Sequence, residues 1–469
     1  MPKPTKVIHA RTFTTDVFTI PFKDGYILYI PEAGLVAGVN HRVHDIVQAI
    51  KQNKLIEDND FNRELVSILE KLRVFAPKPD HRSHFLEEYR PSHVTLSLTS
   101  RCHLRCVYCY ARAGENISDM DKEIMEAALL FVADNAVWKK ENAFIVSFHG
   151  EGEPTANWPL FRQAVIQSQQ LARERKLEVN FTMSSNGIWG RSQREFIADH
   201  FKHLSISFDG PPEIQNLQRP TASGAPSFSI VFDNLKFLEE KGVEYGIRAT
   251  VLPNGLESMI PFLELVATRL KCSWVHFEPV FLTGRAVNDD LDEANTNSFF
   301  RRFVDEYHRT VARGSEIGIH VAYSGCRASH YSANFCNVSG PNLNFFVSTR
   351  GIVSSCYEII DPVSPKGRFT VYGYYDLDEH RFIFDQQKLQ RLRNFGVDKI
   401  AHCRDCFARW NCSGDCFARS DVYINNDGEI VASQESPRCH ANRKTTLRDL
   451  VCRGLVMDVL SRTNSPSIA

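Results

Sequence analysis

Ser100-Arg-Cys102-His-Leu-Arg-Cys106-Val-Tyr-Cys109-Tyr110 is the stretch from which the rest of the chain can be read. It sets three cysteines at spacing C-x3-C-x2-C directly after an alternating apolar run, His93-Val-Thr-Leu-Ser-Leu-Thr99. Alternation of period two predicts a half-buried strand, so the thiols fall in one compact loop at a strand end. Such a loop can turn three thiolates toward a common point. Three thiolates on a four-iron cluster would leave one iron without a protein ligand, an open position for substrate or cofactor. A zinc knuckle, or three unrelated buried cysteines, would use the same letters. The surroundings of the loop decide between them.

The 469 residues suggest two or three domains. A formal net charge of −1 leaves no electrostatic footprint for nucleic acid or an anionic membrane. No apolar run approaches the roughly 20 residues needed to span a bilayer. The first residues, Met1-Pro-Lys-Pro-Thr-Lys-Val-Ile-His9, lack the apolar core of a signal peptide, so a cytoplasmic protein is expected. Cytosolic thiols stay reduced, so the 13 cysteines are not expected to form disulfides. Their clustering points to metal: three lie at 102–109, nine lie between 326 and 452, and Cys272 stands apart.

Residues 1–78 read as a small α+β unit. Val17–Phe22 and Tyr26–Ile30 are strand-like around the turn signal Lys23-Asp24-Gly25, and a third strand runs through Gly34–Gly38. Helices are expected at His41–Lys51, with Val43, Ile46, Val47 and Ile50 at helical spacing, and at Asp60–Val74. This is the outline of a winged-helix module, whose free strand edge can take a peptide as an added strand. A plain cap on the next domain has the same outline. A polar, proline-bearing linker follows, placed at 79–92.

Over 93–290 strand-like and helical runs alternate. The strands are His93–Thr99, Phe144–Phe148, Glu178–Thr182, Leu204–Phe208, Tyr245–Val251 and Trp274–Glu278. Helices include Asp121–Asn135, Trp158–Lys176 and Phe228–Lys241. The alternation predicts an α/β fold, a parallel sheet with right-handed crossovers. Six units make a partial (β/α)6 barrel of TIM type, whose active site belongs at the C-terminal strand ends. Those ends carry the cysteine loop, His149-Gly-Glu-Gly-Glu-Pro154, Ser184-Ser-Asn-Gly187, Asp209-Gly-Pro-Pro212, Arg248 and Glu278-Pro279. Each alone would serve as a turn. Together, in register with a cysteine loop, they outline a site.

Over roughly residues 90 to 290 the chain resembles the radical SAM superfamily. Cys102, Cys106 and Cys109 match its C-x3-C-x2-C loop, with Tyr108 at the aromatic position before the third cysteine. Gly152-Glu153-Pro154 resembles the family's Gly-Gly-Glu-Pro motif, which holds the amino group of S-adenosylmethionine (SAM); Glu151 replaces the first glycine. Ser184, Ser185, Asn186 and Ser207 resemble the positions that meet the ribose, and Arg248 the arginine that pairs with the methionine carboxylate. The resemblance implies reductive cleavage of SAM to a 5′-deoxyadenosyl radical that abstracts hydrogen from carbon. It also implies an external one-electron reductant of flavodoxin or ferredoxin type.

The C-terminal third repeats the theme. Cys336-x14-Gly351-x4-Cys356, then Cys403-x2-Cys406-x5-Cys412-x3-Cys416, then Cys439, resembles the seven-cysteine SPASM extension of radical SAM enzymes. A zinc ribbon would use similar pairs. The resemblance implies two auxiliary clusters: Cys336, Cys356, Cys416 and Cys326 for the first, and Cys403, Cys406, Cys412 and Cys439 for the second. Three 4Fe-4S clusters would then use eleven of the thirteen cysteines, leaving Cys272 and Cys452 for packing. In SPASM sulfatase maturases an aspartate just after a cluster cysteine acts as base. Here Tyr357 and Glu358 follow Cys356 and are the candidates for that role. The SPASM domain is placed at 326–440, behind a bridging region at 291–325 and before a C-terminal helix and tail at 441–469.

The N-terminal unit resembles the PqqD-like element that binds leader peptides in peptide maturases. The resemblance therefore implies an oxidoreductase acting on a ribosomal precursor peptide, its leader bound by the N-terminal domain. The product would be an intramolecular thioether or carbon cross-link. Two other readings stand beside it. One is maturation of a protein partner, as in sulfatase or amine-dehydrogenase maturases, although the sulfatase type does not usually carry such an N-terminal module. The other is a non-catalytic iron–sulfur carrier or peptide-binding scaffold.

Overall fold

The strand before the cysteine loop lies inside a sheet wider than its own barrel. The computed structural model describes residues 7–8, 12–76, 88–287, 296–325, 331–420, 422–424, 430–432 and 435–454. At the N-terminus β1 (Val7–Ile8) pairs with β5 (Ile56–Glu57). Between them β2 (Phe18–Phe22), β3 (Gly25–Ile30) and β4 (Leu35–Val39) form an antiparallel meander. Gly25 pairs with Phe22, so the expected three-residue turn shrinks to Lys23, in the left-handed region, and Asp24. Helix His41–Lys51 forms where the apolar spacing predicts, capped by the Asn40 side chain on the Val43 amide. Helix Asp60–Lys71 stops short of the expected Val74, because Arg73 turns left-handed and sends Val74 into the core. Both faces of the meander are covered. One packs on these helices through Leu28, Ile30, Val47 and Leu69. The other packs through Ile20, Ile27, Tyr29 and Val36 against Phe407 and Leu450.

The six expected barrel strands are β6 (His93–Leu96), β7 (Ala143–Phe148), β8 (Glu178–Ser185), β9 (His203–Ser207), β10 (Glu244–Val251) and β11 (Trp274–Pro279). They lie side by side, parallel, in chain order. β6 is shorter than the apolar run, although Ser97 N still donates to Val347 O at 3.0 Å and Thr99 bridges to Asp119. Helices Lys122–Lys139, Trp158–Arg175 and Phe228–Lys241 cross over between strands. Phe144, Val146 and Phe148 pack outward with Leu129, Val132, Phe161 and Val165, so the apolar core lies between sheet and helices.

Two additions were not anticipated. Helix Asn297–Ile317, in the region read as a bridge, leads into β12 (His320–Ala322), which joins β11 in parallel. On the opposite edge β13 (Phe345–Val347) joins β6 in parallel and continues antiparallel through β14 (Ile352–Ser354), β15 (Val371–Asp376) and β16 (Arg381–Phe384). Barrel and cysteine-rich extension thus share one eleven-stranded sheet. β17 (Val422–Ile424) and β18 (Ile430–Ala432) pair by themselves. Helix Pro437–Gly454 packs against helix Asn297–Ile317 and β4. Among the described residues no helix is long and apolar enough to cross a membrane.

Candidate active site

At the C-terminal ends of β6–β11 the chain encloses a cavity of about 350 Å³. Its wall on the β6 side is the cysteine loop, pinned by the segment after β9. Arg105 N donates to Pro220 O at 2.8 Å and Val107 N to Gln218 O at 3.0 Å. Tyr108 donates to Asp209 and receives Arg219 Nη1 at 2.5 Å, while Arg219 and Asp209 form a buried ion pair at 3.6 Å. Arg285 closes the loop from the other side, donating to Cys106 O at 3.1 Å. Amides of Leu104 and Ala113 point at the sulfurs of Cys102 and Cys109, both at 3.5 Å, as does Asn186 Nδ2 toward Cys102. Burial pushes the Cys106 thiol up to about 12; Arg219 opposes this, and Cys102 and Cys109 add to it.

The segment after β7 explains why Glu151 can stand in place of glycine. The crowded positions are its neighbours. A Cβ on Gly150 would lie 2.6 Å from Ser97 Oγ, and one on Gly152 would lie 2.6 Å from Thr99 O and collide with Arg101 O. The Glu151 side chain reaches to the turn between β13 and β14, accepting from Thr349 N at 2.8 Å and Thr349 Oγ1 at 3.1 Å. Glu153 is buried and accepts from Thr155 Oγ1, Ser185 Oγ and the Asn186 amide, each at 2.8 Å, and from Thr155 N at 3.3 Å. Its carboxylate therefore bolts this segment to the end of β8. Pro154 opens a single 3-10 turn and is buried, outside the lining of the cavity.

Ser184, Ser185, Asn186, Ser207 and Arg248 all line the cavity, Ser207 lying beside Arg248 in the β9–β10 register. The Ser185 hydroxyl is engaged by Glu153 and by Trp189 Nε1 at 3.0 Å, whereas Ser184 and Ser207 line the cavity beside the hydroxyl residues Ser205 and Thr250.

Tyr357 and Glu358 of the extension complete the lining. Tyr357 meets His149 edge-on, ring centroids 4.4 Å apart, and Tyr110 at 6.4 Å. Burial, helped by the charge of Arg248, lowers His149 to about 4, so its ring is neutral. Glu358 pairs with Arg419 at 3.3 Å, Arg419 with Glu278 at 2.8 Å, Glu278 with Arg438 at 3.1 Å, and Arg438 with Asp415 at 2.8 Å. His276 donates to Glu278 at 3.0 Å, a role its ring can take in either protonation state. Burial works to raise Glu278, but Arg438, His276 and Arg419 hold it well below the usual carboxylate range. His149 and Glu278 were visible in sequence only as strand-end residues. Arg219, Arg419 and Arg438 carried no signal, because their partners are far off in the chain.

The remaining thiols gather in two groups. Cys356 feels Cys416 and Cys336, and Cys416 feels Cys336, while Cys403 and Cys412 each feel Cys439, and Cys403 also feels Cys406. Burial, then the neighbouring charges, pushes Cys403 up to about 12; burial does the same to Cys416, against Arg419. Buried thiols that oppose one another's ionisation suit a site whose cation holds them as thiolates. Among the described residues no three His, Cys, Asp or Glu side chains meet as ligands of one metal ion; thiolates on a four-iron cluster stand farther apart than those on a single ion. The donor sets thus fit clusters by residue type and grouping. Cys326 lies outside the described residues. Cys272 is buried, as expected of a packing cysteine, but Cys452 is exposed, so that expectation fails for it. It sits on the solvent side of the last helix.

Residues 96–266 match the Radical SAM superfamily. The cysteine-type anaerobic sulfatase-maturating enzyme of Clostridium perfringens is 22% identical over 335 residues, covering 68% of this chain and 86% of that enzyme. Among solved structures, native anSMEcpe with bound AdoMet and Cp18Cys peptide superposes with a TM-score of 0.57 at 18% identity, covering 78% of this chain and 99% of that one. Streptococcus suis SuiB superposes with a TM-score of 0.50 at 16% identity, covering 87% and 95%. These likenesses show the fold.

Proposed function

We propose that this chain is a radical SAM maturase that cross-links a ribosomally made precursor peptide, its leader held by the N-terminal module. One observation carries the reading: the Cys102–Cys109 loop, the 149–153 segment, four further strand ends and Tyr357-Glu358 of the cysteine-rich extension line a single cavity. A reduced 4Fe-4S cluster with SAM supplies, when bound, a 5′-deoxyadenosyl radical that takes hydrogen from carbon. The chain's own residues then do the rest. Cys102, Cys106 and Cys109 would hold the cluster, and Arg248 and the Gly150–Gly152 backbone the methionine end of SAM. Ser184 and Ser207 would meet the ribose, while Glu153, Ser185 and Asn186, which also line the cavity, hold the backbone of its wall in place.

Tyr110, Tyr357 and His149 wall the cavity against water, which protects a radical from quenching. Glu358, paired with Arg419, would receive a proton as the substrate is oxidised, while Tyr357, a phenol that burial keeps protonated, would guide an electron instead. The two outer thiol groups, Cys336-Cys356-Cys416 with Cys326 and Cys403-Cys406-Cys412-Cys439, would hold auxiliary 4Fe-4S clusters of a SPASM domain. A leader docked on the N-terminal module would raise the effective concentration of the core peptide at the cavity. Electrons would come from a flavodoxin or ferredoxin.

Co-expression with the precursor should lower the peptide mass by two hydrogens per link, and an unchanged mass would sink the cross-linking reading. Reduced, reconstituted protein given SAM should release 5′-deoxyadenosine, and Cys102→Ala, Cys106→Ala or Cys109→Ala should abolish that release. A carrier or scaffold would release none. The match over 86% of a sulfatase-maturating enzyme favours a second reading, maturation of a protein partner of that kind. Modification of a sulfatase-derived peptide in preference to the precursor would decide for it.

A further inference from the structure

In ordinary parallel barrels the interior is filled by branched apolar side chains. Here it is hollow, and its lining sets hydroxyls, imidazoles and an amide among Phe148, Met183 and Phe346. Below the candidate site a second cavity of about 220 Å³ runs into the barrel, sharing His149, Ser184, Ser205 and Tyr357 with the one above. Strand alternation turns Thr95, Thr182, Ser205 and His203 into it, and Asn344 joins them from just before β13. Its floor is a hydrogen-bonded chain in which Thr182 Oγ1 meets Ser147 Oγ at 2.5 Å and Ser147 Oγ meets His93 Nε2 at 2.7 Å. Among the described residues lining this lumen there is no Asp, Glu, Lys or Arg. The charges lie outside it. Arg90, Lys139, Glu141 and Arg393 line another cavity beyond the floor, and Arg248, Glu278 and Arg419 line the cavity above.

We propose that the lumen is a specificity subsite that seats one uncharged, hydrogen-bonding side chain of the peptide substrate: an amide, a hydroxyl, a phenol or an imidazole. The substrate being a peptide rests on the function proposed above; the chemistry of the subsite does not. The volume is that of one large side chain and not of a strand. Hydroxyls, an amide and imidazoles offer both donors and acceptors, so a neutral polar group can satisfy itself there. A charged group would lose its hydration with no opposite charge in the lining to replace it. The aromatic pair His149–Tyr357 stands where the two cavities meet, so a side chain passing it would hold its own backbone carbon in the upper cavity, beside the cysteine loop.

The test uses the full chain in solution and small probes in place of side chains: phenol, acetamide, acetate and methylammonium, followed by saturation-transfer NMR. Phenol and acetamide should give signals that fall at least tenfold in Ser205→Leu, which fills the lumen. Thr95→Leu serves as a second filling variant should Ser205→Leu not fold, judged by circular dichroism. Neutral-probe signals unchanged in the filled variant overturn the proposal. So do acetate or methylammonium signals that fall with it to the same degree. Neutral probes lost on filling, in a protein that releases no 5′-deoxyadenosine, would retain the subsite and reject the radical reading.

Discussion

Glu153 lines the cavity and at the same time holds its wall together. Its carboxylate accepts four hydrogen bonds, so a neutral amide there would set an N–H against a donor. Glu153→Gln should cost about 1–3 kcal/mol in chemical unfolding and weaken SAM binding; equal stability would mean that the latch is idle. Glu278 makes a matching case in pH. Its folded value lies well below the ordinary one of about 4.3, so its stabilisation is complete above that value and is lost as pH falls through the folded value. Acid unfolding of the wild type should steepen below about pH 4, whereas Glu278→Gln, less stable at neutral pH, should lack that component. The sequence marked Glu153 and Glu278 by position at strand ends. It gave no sign of the partners of Glu278, because Arg438 and Arg419 arrive from more than a hundred residues away.

At the scale of elements, periodicity located the six barrel strands and the crossover helices, since each buries one side against the core. It missed β12 and β13, three residues each, too short to carry a period. Those short strands give the extension its position. Glu151 ties the end of β7 to the β13–β14 turn, so Glu151→Gly, the residue of the usual motif, should detach that turn. We expect a loss of about 1–2 kcal/mol and faster amide exchange at 348–351, with 5′-deoxyadenosine release retained. Exchange unchanged at 348–351 would show that the strand pairing alone holds the turn.

Across the whole molecule, the N-terminal module is docked on the cysteine-rich extension. Asp16 accepts from Arg409 and from Trp410 Nε1, Tyr29 donates to Asn411 at 3.0 Å in a buried contact, and Tyr331 stacks on Trp410 while bonding Glu32 at 3.0 Å. Apart from the Tyr331–Glu32 bond, these contacts fall on Arg409, Trp410 and Asn411, between Cys406 and Cys412, so the module braces a loop carrying candidate ligands. Asp16→Ala should speed amide exchange across 403–412 and lower the iron retained after reconstitution. Protection equal to wild type would show that Leu450 and Phe407 alone maintain the docking.

The chain's own letters were enough for the alternation of strand and helix, the C-x3-C-x2-C loop at the first strand end and the two later cysteine fields, because each is written in local spacing. Spacing could not say that Cys356 and Cys416 stand together while Cys403 and Cys412 meet Cys439, that Glu151 faces the extension, or that the barrel is hollow. Those outcomes depend on which side chains meet across the sheet. Burial then decides what each meeting is worth, since a charge or thiol withdrawn from water takes its character from its nearest neighbours.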